Sequence, residues 1–297
     1  MKNEKNIRIG ILGSDNSHAL AFAKLCNILD DKGLYAYDNI RVTAIYGKDD
    51  DAEHTAMVAR EGRIEFIAQS PAEFFGKVDA VMVVYRRGSY HIPDILPFIE
   101  KGIPCWIDKP ICSSVEDIQK LKEACEKSGA LVTGGSTMKY CYDILTAKNR
   151  IESGFFGKVL GGNMNFPGDF DNPYEGLYFY GSHLIEMMLT VFGYDVVSVV
   201  ASENIHDRIA VIANYENCQV TLNFTSSSDF FITVYGSEHS ITTQADISNI
   251  YKLGFDKFVE MLRNGRMPLS FDEMVKPVYI LDAIHKSVEE KREVYIV

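Results

Sequence analysis

Ile7-Arg8-Ile9-Gly10-Ile11-Leu12-Gly13-Ser14-Asp15-Asn16-Ser17-His18 is the stretch that decides the fold. Ile7 to Leu12 is nearly continuous in apolar residues and reads as a buried strand. Gly13 to Ser17 reads as a turn. A helix is predicted from about His18 to Leu29, with Leu20, Phe22, Leu25 and Leu29 as its apolar positions. Strand, glycine turn and helix in this order suggest a Rossmann unit, whose helix N-terminus receives a pyrophosphate. The glycine fingerprint G-x-G-x-x-G is broken, however. Gly13 holds the first position, Asp15 the second and His18 the third. An aspartate there adds bulk and negative charge where a phosphate has to approach. Ser14, Asn16 and Ser17 offer hydroxyl and amide donors to a cofactor, and serve equally well as helix caps. Asp15 and His18 have the chemistry of metal ligands, but no third partner stands at fixed spacing, and no metal is expected.

Outward from this unit, Ile40 to Tyr46 reads as a second strand. Dinucleotide sites place an acid at the end of such a strand to hold the ribose hydroxyls. Here that position is Gly47, followed by Lys48 and then Asp49, Asp50 and Asp51. A lysine in place of the acid leans toward a 2′-phosphate, hence NADP; the aspartate run leans back toward NAD. A helix over 51–61 and a short strand from Ile64 to Ala68 follow. Val78 to Val84 is a parallel-strand pattern. Tyr85-Arg86-Arg87-Gly88-Ser89-Tyr90-His91 stands at its carboxyl end, where two arginines suit a phosphate, a substrate carboxylate or the surface. After a helix from about Ile92 to Lys101 comes a strand, Ile103 to Ile107, that runs into Trp106-Ile107-Asp108-Lys109-Pro110. A lysine at the carboxyl edge of a sheet stands where open α/β folds bind ligands. A helix from Ser114 to Ser128 and a strand from Ala130 to Thr133 complete an alternation of about six strands.

The pattern then changes. Helices are predicted at 140–152 and 176–192. Strands are predicted at 159–166, 196–202, 208–215, 219–224 and 230–235, and helices at 249–264 and 271–290 precede a last strand at 294–296. Strands in succession with short turns imply a mostly antiparallel, open-faced sheet. The expected class is therefore α/β: a doubly wound Rossmann domain over residues 1–134, then an α+β domain over 135–297. The chain has 297 residues and a net charge of −11, which disfavours nucleic acid and anionic membranes as partners. No apolar run approaches the roughly 20 residues of a membrane span. Met1 to Asn6 is polar, so no signal peptide is expected. The six scattered cysteines lack any Cys-x-x-Cys pair and suggest reduced thiols in the cytoplasm.

The order of these motifs resembles the glucose-fructose oxidoreductase / inositol dehydrogenase / rhizopine-catabolism (Gfo/Idh/MocA) family of NAD(P)-dependent oxidoreductases. Val78 to Val84 with His91 downstream is similar to its third strand and histidine. Asp108-Lys109-Pro110 is similar to its Glu-Lys-Pro signature, and Gly181-Ser182-His183-Leu184-Ile185-Glu186 to its catalytic helix. The resemblance implies hydride transfer between a nicotinamide cofactor, NAD or NADP, and a secondary alcohol of a sugar or polyol. It also implies a homodimer or homotetramer assembled through the second sheet. In that frame Lys109 and His183 hold the reacting hydroxyl, Asp108 orients the lysine, and His91 lies near the nicotinamide. Gly13, Ser14, Asn16, Ser17, Lys48, Tyr85 and Arg86 line the cofactor, together with His91, Asp108 and Lys109. Asn163, Asn165 and Asp169 receive a weaker vote as residues facing the substrate. The chain departs from the family at the glycine loop, the ribose acid and the catalytic aspartate, whose place is taken by Phe179. Tyr178 and Tyr180 are the candidates to replace that acid. A second reading keeps the same scaffold for a regulatory binding protein without turnover, and a third uses the cofactor in glycoside cleavage.

Overall fold

The computed structural model describes residues 6–48, 52–204, 208–227 and 229–296. Asp49, Asp50 and Asp51 lie outside the described residues. The chain forms two compact units: Met1–Cys112, Glu116–Gly134 and Phe255–Leu269 make the first; Ser113–Val115, Gly135–Gly254 and Ser270–Val297 make the second. A single cut at residue 134 is thus crossed in both directions. The reason for the later crossing is aromatic. Phe255 packs on Phe22 at 5.7 Å between ring centroids, and Phe258 on Trp106 at 5.9 Å.

In the first unit, strands β1 (Ile7–Leu12), β2 (Ile40–Tyr46), β3 (Phe66–Ile67), β4 (Ala80–Val83), β5 (Cys105–Asp108) and β6 (Val132–Gly135) alternate with helices α1 (Ser17–Asn27), α2 (Ala52–Glu61), α3 (His91–Ile99) and α4 (Val115–Ser128). The sheet order is β3-β2-β1-β4-β5-β6. That is the doubly wound order, with its switch point between β1 and β4. Both neighbours of β1 run parallel to it. β1, β4 and β5 are buried on both faces, which is why they read as unbroken apolar runs. Helix α1 ends two residues earlier than its apolar spacing predicts. Asn27 is the cause: its side chain donates to the carbonyls of Val42 and Gly62 and accepts from the Val42 amide, and Ile28 turns extended.

In the second unit, α5 (Tyr142–Glu152), β7 (Val159–Pro167), α6 (Leu177–Phe192), β8 (Ser198–Glu203), β9 (Ile209–Asn214), β10 (Gln219–Thr225), β11 (Phe231–Gly236), β12 (Ser240–Gln244), α7 (Ile250–Asn264), α8 (Phe271–Glu290) and β13 (Val294–Tyr295) follow one another, with α7 passing into the first unit. The sheet order is β12-β11-β7-β10-β9-β8-β13. Every pairing is antiparallel except β7 with β10, which is parallel. The sequence reading misses β12. No residue of that edge strand is buried, so it carries no apolar alternation to read. One sheet face sends Met164, Phe166, Leu222 and Ile232 into a core shared with α6 and α8. Helix α6 is apolar almost all round and buried along most of its length.

Candidate functional site

The first unit gathers its polar side chains where β1, β4 and β5 end. The Val84 amide bonds the Leu12 carbonyl at 2.8 Å, and Gly13 adopts φ +103° directly against Tyr85. A Cβ on Gly13 would lie 2.8 Å from the Tyr85 amide nitrogen, so only glycine fits the turn. Asp15, in the fingerprint's second position, is accommodated by its neighbours: its Oδ2 accepts from the Arg86 amide at 3.2 Å. Asn16 caps α1, its Oδ1 accepting from the His18 amide at 3.2 Å, while its buried Nδ2 has no hydrogen-bond partner among the described residues. A buried amide donor at a helix N-terminus suits an anionic oxygen, so the loop fits a dinucleotide pyrophosphate despite its lost glycines. Ser17 Oγ donates to Asn16 Oδ1 at 3.4 Å.

At the end of β2, Gly47 is enforced by packing. A Cβ there would sit 1.9 Å from Thr55 Oγ1 and 2.5 Å from Ser14 Oγ, and those two hydroxyls bond each other at 2.6 Å. No ribose-binding acid can start from this position. Lys48 beside it pairs with Asp94 at 3.2 Å and lies over the rings of Tyr90 and Tyr85, at 4.7 and 5.2 Å.

Around β5, Asp108 is fully buried and Lys109 is 2 % exposed. His18 Nδ1 lies 2.6 Å from Asp108 Oδ2, and Trp106 Nε1 donates to Asp108 Oδ1 at 3.4 Å. Burial pushes the Asp108 carboxyl up, but His18, by charge and hydrogen bond, and then Lys109 and His91 outweigh it, and the pKa falls below the ordinary value. Burial dominates Lys109: its pKa is lowered to about 8, with Asp108 and Asp15 pulling upward and Arg86 pushing down. His91 is fully buried, each ring nitrogen against a main-chain oxygen: Nδ1 at 2.7 Å from Pro110 O and Nε2 at 2.9 Å from Tyr85 O. It bolts the Tyr85 turn to the Lys109-Pro110 turn. Burial lowers its pKa. Among the described residues no three His, Cys, Asp or Glu side chains are placed to hold a metal ion.

The second unit carries its polar residues on α6 and on the turn after β6. Ser136 Oγ and His183 Nδ1 lie 2.7 Å apart, and Oγ also accepts from the Met138 amide at 3.2 Å. Phe166 and Tyr180 flank the His183 ring at 5.2 and 6.2 Å between centroids. One helical turn on from His183, Glu186 accepts from the Ser136 amide through Oε1 and from Lys139 Nζ through Oε2, both at 2.6 Å. Burial works to lower the Lys139 pKa, and Glu186 reverses it, so that it lies well above the ordinary value. Phe179, in the aspartate's place, packs between Tyr174 and Tyr180. Asn163 and Asn165 do not join His183. They alternate with Met164 and Phe166 along β7, and their amides bond Thr221 Oγ1 and the Asp229 carbonyl. Sequence reading also passed over the network of Ser136, Lys139 and Glu186, and separately the Thr55 hydroxyl beside Ser14. Lys139 between Met138 and Tyr140 was the one available signal, an ammonium set in apolar sequence.

This fold and its loop chemistry define a Rossmann protein built to hold a nicotinamide dinucleotide, NAD or NADP. Residues 7–136 match the family described as "GFO_IDH_MocA: Oxidoreductase family, NAD-binding Rossmann fold". The chain is 25 % identical over 289 residues to scyllo-inositol 2-dehydrogenase (NADP(+)) IolW of Bacillus subtilis (strain 168), covering 88 % of this chain and 73 % of that one. Its fold is similar to that of myo-inositol 2-dehydrogenase from Lactobacillus plantarum, with TM-score 0.83 and 14 % identity over 99 % of this chain and 100 % of the other. It is equally similar to GenD2 from gentamicin A biosynthesis, solved in complex with NAD, with TM-score 0.83 and 14 % identity over 100 % and 98 % of the two chains. The family match over residues 7–136, together with these relatives, supports the Gfo/Idh/MocA family of oxidoreductases. No helix among its described residues is long and apolar enough to cross a membrane.

Proposed function

We propose that the protein is a cytoplasmic NAD(P)-dependent dehydrogenase that oxidises a secondary hydroxyl of an inositol-like polyol. The observation that carries this reading is Lys109, buried at the carboxyl end of β5 with its pKa lowered to about 8. A general base works best with a pKa near the operating pH. Lys109, as the neutral amine, accepts the hydroxyl proton. His183, its Nδ1 beside Ser136 Oγ, is the residue of the second unit that hydrogen-bonds substrate. Tyr180 stands on the same helix as a further proton donor. The nicotinamide, when bound, supplies the hydride acceptor. Asn16, Ser14, Ser17, Gly13, Tyr85 and Arg86 hold the cofactor from the β1 and β4 turns, and His91 acts by fixing the Tyr85 turn. The relatives give the reading of a binding protein without turnover no support.

Gly47 and Lys48 favour NADP, because the space for a ribose acid is filled by Thr55 and Ser14. The open sheet face carries Val200, Ile212, Phe231 and Tyr235, each 38–45 % exposed, and supports a homo-oligomer formed through that face. The test is calorimetry with NAD, NADH, NADP and NADPH, followed by absorbance at the nicotinamide band with myo- and scyllo-inositol. Micromolar binding of the NADP pair and reduction by an inositol are the expected results. Absence of binding at millimolar cofactor would remove the reading.

A further inference from the structure

The third fingerprint position is a histidine here, and its partner is 90 residues away in sequence. His18 is 9 % exposed and its Nδ1 is 2.6 Å from a carboxylate oxygen of Asp108, itself fully buried. Trp106 holds the other oxygen of the same carboxylate. The glycine of an ordinary fingerprint has no side chain to do this; it serves close packing of helix on strand. We infer that His18 is a positioning residue for Lys109: its hydrogen bond holds the Asp108 carboxylate in place, so that the adjacent lysine exchanges a proton instead of locking into an ion pair.

Three observations stand behind this. The second unit shows the alternative outcome, where Glu186 lies 2.6 Å from the Lys139 ammonium and holds its proton firmly. Among all influences on Asp108 that favour its ionised form, His18 comes first. The charged groups that face Lys109 are Asp108 from β5, Asp15 from the turn after β1 and Arg86 from the turn after β4. Asp15 Oδ2 accepts from the Arg86 amide, and Asp108 Oδ2 lies against His18 Nδ1. The inference rests on the proposed role of Lys109 as proton acceptor, but its test does not.

The experiment is the titration of Lys109 in cofactor-free protein carrying 13Cε-labelled lysine, followed by NMR and assigned with Lys109→Met. With His18→Ala, Asp108 turns its charge on the lysine, and Lys109 is expected to titrate about one pH unit higher. His18→Gln keeps an N–H donor for Asp108 and is expected to hold the titration near the wild-type value. In an Asp108→Asn background, His18→Ala is expected to change nothing. An unmoved Lys109 in His18→Ala would overturn the inference, as would an equal shift in the Asp108→Asn background. His18→Leu, of similar volume, repeats the measurement should the alanine variant lose its cooperative melting. The titration is read without dinucleotide or polyol, so it decides the role of His18 even if calorimetry and turnover remove the dehydrogenase reading.

Discussion

Lys109 and Lys139 are buried equally, each 2 % exposed, and their ammonium groups respond in opposite directions. Burial lowers Lys109 to about 8, while Lys139 is raised. The difference lies in what each neighbouring carboxylate does. Glu186 gives one oxygen to Lys139 and the other to the Ser136 amide. Asp108 gives its oxygens to His18 and Trp106. Desolvation sets the cost of a buried charge, but the allotment of the nearest lone pairs decides whether the charge stays. One lysine is a structural strut and the other a candidate base.

The comparison breaks most visibly at activity. Lys109→Met is expected to lower kcat by about 10²–10⁴-fold with the fold intact, while Lys139→Met acts through stability instead. Steady-state rates beside melting curves separate the two; equal kinetic losses in both would erase the distinction. Next in size is Glu186→Gln, which leaves the Lys139 ammonium buried with a neutral partner. Denaturant unfolding should show a loss of about 3–5 kcal/mol. The double variant Lys139→Met/Glu186→Leu should recover most of it, because an apolar pair costs no desolvation.

A third test uses pH. The folded pKa of Lys109 is about 8 and its ordinary value 10.5. Between these values the unfolded chain binds more protons, so this residue makes stability rise with pH across that window. The gain amounts to about 3 kcal/mol. Buried thiols and phenols such as Cys26 and Tyr37 have raised pKa values and act in the opposite sense at alkaline pH. The quantity to measure is therefore the wild-type stability minus that of Lys109→Met, at pH 8 and pH 10.5; a flat difference would contradict the lowered pKa. Smallest is Ser136→Ala, which removes the Oγ held at His183 Nδ1. A stability loss of about 1 kcal/mol and a rise in KM are expected.

Most of the first unit was legible because its strands are buried on both faces and its helices are amphipathic. Lys109 stood out because it closes a strand at a sheet's carboxyl edge. The partnerships were not legible. His18 and Asp108 lie on separate βα units, and Ser136, Lys139 and Glu186 meet only when the turn after β6 lies on α6. Single-sequence periodicity reports which face a residue takes, and holds no record of its partner across the fold. Asn163 and Asn165 show the same limit from the other side. Polar residues alternating on a strand look like a binding face, and here they are cross-strand ties. The parallel pairing of β7 with β10 was hidden for a related reason, since strand order is not a local property.

The helix that completes the first unit has a consequence for biosynthesis. Phe22 and Trp106 are made early, and the rings that cover them, Phe255 and Phe258, emerge about 150 residues after Trp106. During that interval on the ribosome the nascent sheet has its strands but not its aromatic cover, and Tyr37 still awaits Asp256. A fragment ending at residue 134 would present the same unfinished surface permanently. Chaperone demand should therefore peak before Asp256 is made and fall once it is.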